Sequence, residues 1–210
     1  MFEGKLVDLV PFEGDFATCM QTWMNEEAWF RARLWDRREP HTEEDVRKFI
    51  EKVEKEDQAM LVGFQAKNGD PIGGVMYDHE WSRVRKAEVL FFAGDSRYEG
   101  TDEVLDGLLM LCRYCFETYN LHRLEASALA FDEARLDHLE RAGFVHEGSL
   151  RQHIRWAGDY VDVELLGMLD REWPGYELKV AALDLQPSGI EPKPRPEKNA
   201  DHEGGSAKAG

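Results

Sequence analysis

Cysteine is scarce in this chain and odd in number: Cys19, Cys112 and Cys115. Three thiols imply no disulfide framework, so a reducing cytoplasm is the expected setting. Cys112 and Cys115 form a C-x-x-C, but deep in a helical segment, not at a helix N-terminus where a thiol pKa falls. They read as two small apolar residues on a buried face. Zinc-type ligand pairs, H-E-x-x-H and EF-hand spacings are missing too, and no metal site is expected. No apolar run is long enough to span a bilayer. The opening stretch MFEGKLVDLVPFEGD lacks the charged-then-apolar order of a signal peptide and reads as a strand. Positive charge is also short: 26 Lys+Arg stand against 42 Asp+Glu, a formal net charge of −16. Such a surface repels nucleic acid and anionic membrane, and neither is an expected partner.

What is present is globular. With 42% hydrophobic and 11% aromatic residues, 210 residues suffice for one domain with a real core. Lys5 to Val10 alternates and meets Pro11, a first strand. Phe16, Met20, Trp23 and Met24 lie at helical spacing in a segment running to Phe30. RARLWDRREP follows, irregular and basic in an acidic protein. Thr42-x-x-Asp45 opens another helix, with Val46, Phe49, Ile50 and Val53 on one face. Asn68-Gly69 turns a hairpin, and a further strand covers Lys86 to Ala93. A helix spans roughly Asp102 to Tyr119. HRLEASALA is a strand, DEARLDHLERAGF a helix closed by Gly143, and FVHEGSLRQHIRW with YVDVELLGML a final pair of strands. GYELKVAALDL reads as a last strand or an extended arm. From Pro187 the chain is rich in Pro, Gly and charge and is expected to be disordered. The expected plan is thus a domain over 1–173, an extension over 174–186 and a tail over 187–210.

The stretch GDSRYEGTDEVLDGLLMLCRYCFE, Gly94 to Glu117, is the one that bears on chemistry. Its first half is shaped like a loop that cradles a phosphate at a helix N-terminus. Yet it carries Glu99, Asp102, Glu103 and Asp106. Two like charges about 5 Å apart repel by roughly 3 kcal/mol at an effective dielectric near 20, more than a helix dipole returns. Acids in a first helical turn also satisfy that dipole from within the protein.

The element order and several motifs resemble the GNAT superfamily of acetyl-CoA-dependent N-acetyltransferases. The resemblance rests on PIGGVMYD, KAEVLFFAGDSRYEG, and above all LERAGFVHEGSLR followed by GDYVDVELLGML. It points to the branch that acetylates ribosomal-protein N-termini and related amines. It implies an α/β fold: one domain with a mixed, mostly antiparallel sheet of six to seven strands, helices on both faces, and a splay between the fourth and fifth strands. It implies acetyl-CoA as cofactor and a small-molecule or peptide amine as acceptor. The family's Arg/Gln-x-x-Gly-x-Gly/Ala pattern falls on Glu99 to Val104, which puts Asp102 and Val104 at its two glycines. A register starting at Arg97 gives Gly100 the first glycine. The residues that remain to hold the cofactor are the backbone at Phe92 and Ala93, with Arg97, Gly100 and Thr101. Glu88 is the candidate general base, and a carboxylate paired across the sheet is its bland alternative. The family's Asn falls on Asp132 and its Tyr general acid on Leu139. His138, one position away, is expected to be an exposed helical residue.

Two functions stay open from the sequence. One is an N-acyltransferase with an altered cofactor loop. The other is a GNAT fold that has lost acetyl transfer and acts as a binding module, for example as a homodimer, or with a ligand among Trp23, Trp29, Trp35, Trp81 and Tyr77. Core packing is the competing reading for each of these aromatics.

Overall fold

The computed structural model describes residues 2–34, 39–55, 59–80 and 84–192. Eight strands form one sheet: β1 (Phe2–Glu3), β2 (Val7–Pro11), β3 (Ala59–Ala66), β4 (Pro71–Glu80), β5 (Lys86–Ala93), β6 (Arg123–Leu129), β7 (Val145–Trp156) and β8 (Asp159–Leu169). Their order is β1-β2-β3-β4-β5-β6-β8-β7, and every pairing is antiparallel except β5 with β6. The strand beyond the six or seven expected is the two-residue β1.

The helices are α1 (Asp15–Met24), α2 (Glu27–Ala32), α3 (Glu43–Lys55), α4 (Asp102–Arg113), α5 (Glu133–Ala142) and α6 (Tyr176–Leu183). The larger core packs α4, α5 and α6 on one face of the sheet, around Leu105, Leu108, Leu109 and Leu124. The smaller packs α1, α2 and α3 on the other, around Met20, Trp29 and Phe92. Cys112 and Cys115 are fully buried in the larger core, and burial pushes the Cys115 thiol up to about 12. They pack as apolar groups.

Three expectations are corrected. The first helical segment is two helices. Asn25 breaks it: its amide donates to Gln21 O (2.7 Å) and His41 O (3.1 Å), and its carbonyl accepts from His41 N–H (2.8 Å), which fixes the corner. GYELKVAALDL is not a strand or an arm. Its core is α6, because Tyr176, Val180 and Leu183 recur at helical spacing and meet the larger core. The chain also stays attached past Pro187. Leu185 is fully buried and Ile190 packs on the core. Ser188 donates to Glu103 from its N–H (2.8 Å) and hydroxyl (2.7 Å), and Gln186 N–H donates to Asp102 (2.8 Å). The rest of the predicted tail, 193–210, lies outside the described residues.

Asp106 ties the ends of the chain to α4. Its carboxylate accepts from Leu6 N–H (2.6 Å), Val7 N–H (3.1 Å) and the Tyr176 hydroxyl (2.6 Å). The residue is fully buried, and burial raises its pKa. Asp106→Ala should strand two buried amides and lower unfolding free energy by about 3 kcal/mol. Tyr176→Phe should lower it by roughly 1 kcal/mol, with both read from urea midpoints. Ending the chain after Leu183 loses Leu185 and the partners of Asp102 and Glu103, which should lower the thermal midpoint by roughly 5 °C. Ending it after Pro192 should leave the midpoint in place.

Candidate active site

The parallel pairing of β5 and β6 is short. It runs through Lys86↔Arg123, Ala87↔Leu124 and Glu88↔Glu125, and there the strands part. α5 and the N-terminus of α4 flank the gap on one face, and α2 lies on the other. Main-chain groups of β5 beyond Glu88 have no strand on the β6 side. The carbonyl of Phe92 turns the other way, against Gly73 of β4, where it sits 2.2 Å from a Cβ placed on that glycine. Phe91 and, by alternation, Ala93 therefore face the gap. Of the two amides expected to serve an acyl oxygen, only that of Ala93 is on the correct side.

On the α4 side lies a cavity of about 40 Å³, lined by Arg31, Ala93, Glu99, Gly100, Asp132 and His138 among others. Arg31 of α2 pairs there with Glu99 and, at 3.4 Å, with Asp132. Gly100 has φ +74°, a left-handed turn suited to glycine, and a Cβ there would meet only Ala134 Cβ at 3.7 Å. Thr101 is the N-cap of α4 but gives no side-chain cap; its hydroxyl donates to Tyr98 O (2.8 Å). The first amides of α4 thus keep their donors uncapped by a side chain.

Arg97 is not brought to this cavity. Its guanidinium is spent on Asp95 (2.8 Å) and on Glu191 O (3.0 Å) of the C-terminal segment. The loop acids also point elsewhere. Asp102 takes Arg141 (2.6 Å) and Gln186, Glu103 takes Ser188, and Asp106 takes β2 and α6. Glu99 alone of the four lines the cavity.

His138 is buried, not exposed. It lines the cavity 6.1 Å from the Phe91 ring, and its Nε2 has no hydrogen-bond partner among the described residues. Burial lowers its pKa, so it is neutral at pH 7. Leu139, the family's Tyr position, is fully buried in the core. Adjacent helix positions differ by about 100°, which explains why one enters the cavity and the other the core.

Sequence reasoning missed Arg135. Its guanidinium lies in the gap, with Nε donating to Ser127 O on β6 (3.0 Å) and Nη1 to Phe91 O on β5 (2.6 Å). The guanidinium carbon sits 4.3 Å from the Phe91 ring centroid. Burial lowers its pKa to about 10, partly offset by Asp132 and Glu88, so it stays cationic. A signal existed: Arg135, Leu139 and Ala142 form one buried stripe of α5, and a charge in such a stripe needs partners.

On the α2 side a cavity of about 260 Å³ is lined by Ala32, Leu34, Met76, Glu88, Leu90, Ser127 and Arg135, with Arg33 and Val89. Glu88 stands at the point of parting, exposed, and makes no hydrogen bond or ion pair among the described residues. The cross-sheet pairing considered for it does not form there. Among the described residues, the aromatics considered for a ligand pocket are engaged in packing. Trp23 packs on Phe12, Phe16 and Phe92, Trp29 on Phe49 and Phe92, and Tyr77 belongs to the other core. Trp35 and Trp81 lie outside the described residues.

An α/β domain whose two central parallel strands part above a carboxylate, with a helix N-terminus beside the gap, has the architecture of an acyl-transfer domain. A family model described as an acetyltransferase (GNAT) domain matches residues 13–165, and the chain belongs to that family. It is 28% identical over 128 residues to the "Probable N-acetyltransferase YjcK" of Bacillus subtilis (strain 168), covering 60% of this chain and 69% of that protein. Among solved structures it is similar to spermidine N-acetyltransferase from Vibrio cholerae in complex with CoA and spermine. There the TM-score is 0.71 at 17% identity, over 80% of this chain and 97% of that one. It is likewise similar to Mycobacterium smegmatis RimJ in complex with CoA-disulfide, with a TM-score of 0.72 at 16% identity, over 86% and 94% of the two chains. Among the described residues no helix is long and apolar enough to cross a membrane.

Acetyl-CoA, the donor of this family, fits these residues in part. The uncapped start of α4, the open space at Gly100 and the unpartnered His138 Nε2 suit an anion. Between β5 and β6 the guanidinium of Arg135 bonds main-chain carbonyls of both strands.

His138 makes stability depend on pH in a defined direction. Its folded pKa lies below its unfolded value, so the unfolded chain binds more protons and stability rises with pH. Between about pH 5 and pH 7 the wild type should gain on His138→Gln in urea midpoint, and the difference should level off above that range.

Proposed function

We propose that this chain transfers an acetyl group to a primary amine that enters the cavity between α2 and the parted strands. The observation that carries the reading is Glu88: an unpaired carboxylate at the parting point, opening into a cavity of about 260 Å³. An amine must lose a proton to become a nucleophile and another as the amide forms. A carboxylate in contact with solvent can accept it directly or through one water. Ala32, Leu34, Met76 and Leu90 give the cavity apolar walls for an aliphatic or peptide stem. The net charge of −16 attracts a cationic acceptor to the surface. The solved relatives point in the same direction, since one is a spermidine N-acetyltransferase holding spermine. Polyamines and peptide N-termini are therefore the acceptor classes to assay first, with acetyl-CoA as donor.

A second reading, a GNAT fold that binds without transferring, draws its support from Arg135, which fills the gap with the protein's own charge. Turnover decides between the two. Acetylation of a polyamine or peptide amine is expected, and Glu88→Gln should lower kcat by roughly 10²-fold or more. Absence of turnover with both acceptor classes at saturating acetyl-CoA would favour the binding module.

A further inference from the structure

The guanidinium of Arg135 is a wall shared by both cavities. It lines the small one beside α4 and the large one beside Glu88. It is also tied to both banks of the gap: Phe91 O on β5, three residues past the last strand pair, and Ser127 O on β6, two residues past it. A parted strand pair leaves such carbonyls without a strand partner, and buried carbonyls need one. Arg135 supplies it with charge-assisted bonds, the stronger kind. Any extended ligand that runs between β5 and β6 needs the same main-chain groups and the same volume.

We propose that Arg135 is a gate on the acyl-donor groove, and that donor affinity in this chain is limited by displacing its guanidinium more than by the acids of the Glu99–Val104 loop. The acids are already engaged: Asp102 with Arg141 and Gln186, Glu103 with Ser188, and Glu99 with Arg31. Asp132 sets the gate. Its carboxylate caps α5 by accepting from Arg135 N–H (3.3 Å), attracts the Arg135 charge, and is held by Arg31 (3.4 Å). One carboxylate thus fixes the backbone from which the guanidinium reaches across and remains beside it when it leaves. A ligand whose binding requires a minor open state binds more weakly by the fraction of protein that is open. Removing the plug removes that penalty.

This inference rests on the acyltransferase reading for the identity of the probe, CoA. Binding is measured by calorimetry on full-length wild type, Arg135→Ser and Arg135→Lys, with adenosine 3′,5′-bisphosphate as a second probe that carries phosphates but no arm. Expected is at least roughly tenfold tighter CoA binding by Arg135→Ser, an intermediate value for Arg135→Lys, and no change for the bisphosphate. Equal CoA affinity in wild type and both variants overturns the gate and leaves the acyltransferase reading standing. Absence of CoA binding to a folded Arg135→Ser overturns the gate and the donor together. A second readout needs no variant. The Arg135 Nε–H resonance in wild type should be protected from exchange when free and lose that protection on CoA binding. Protection that persists at saturating CoA overturns the proposal.

Discussion

Two parallel strands that part leave main-chain carbonyls facing each other with nothing between them, and that gap organises this molecule. β5 and β6 are joined by three residue pairs and then separate. Everything that converges there does so because of the separation: α5 with Arg135 and His138, the uncapped start of α4, and Glu88 where the strands diverge. A continuous sheet would have satisfied its own backbone and left no place for a ligand. The open form instead imposes a standing requirement for hydrogen-bond donors, which in this chain a buried arginine meets.

The acids of α4 have a structural logic distinct from that gap. A helix with Asp102, Glu103 and Asp106 near its start looks, as a string, like a phosphate site that repels phosphate. Folded, the three hold distant pieces of chain: Asp102 and Glu103 the segment after α6, Asp106 the backbone at Leu6 and Val7 and the hydroxyl of Tyr176. They join the N-terminal strand, the central helix and the C-terminal segment through charge-assisted hydrogen bonds, which are stronger than neutral ones. Both arginines at the gap belong to the same pattern of self-satisfaction. Arg31 balances Glu99 and Asp132 at the mouth, and Arg135 balances two carbonyls within. The amide end of α4 is left without a side-chain cap.

The hairpin at Asn68-Gly69 and the helix stop at Gly143 were legible in the sequence alone, because they are local signals in which each residue's neighbours along the chain carry the information. The fold family and the splay between the fourth and fifth strands came from the resemblance of longer motifs, and the point of parting, after Glu88, came from the structure. The resemblance also named Glu88, Ala93 and Gly100 as candidates, and all three line the two cavities beside the gap. The direction of side chains in the third dimension was not. Whether Asp102 faces an incoming anion or a strap more than eighty residues away, whether His138 is exposed or buried, and whether GYELKVAALDL is an arm or a helix were settled by packing against distant elements. Arg135 is the clearest instance. Its partners, Phe91 O and Ser127 O, are main-chain atoms whose availability depends on two strands parting, a fact that no residue type encodes.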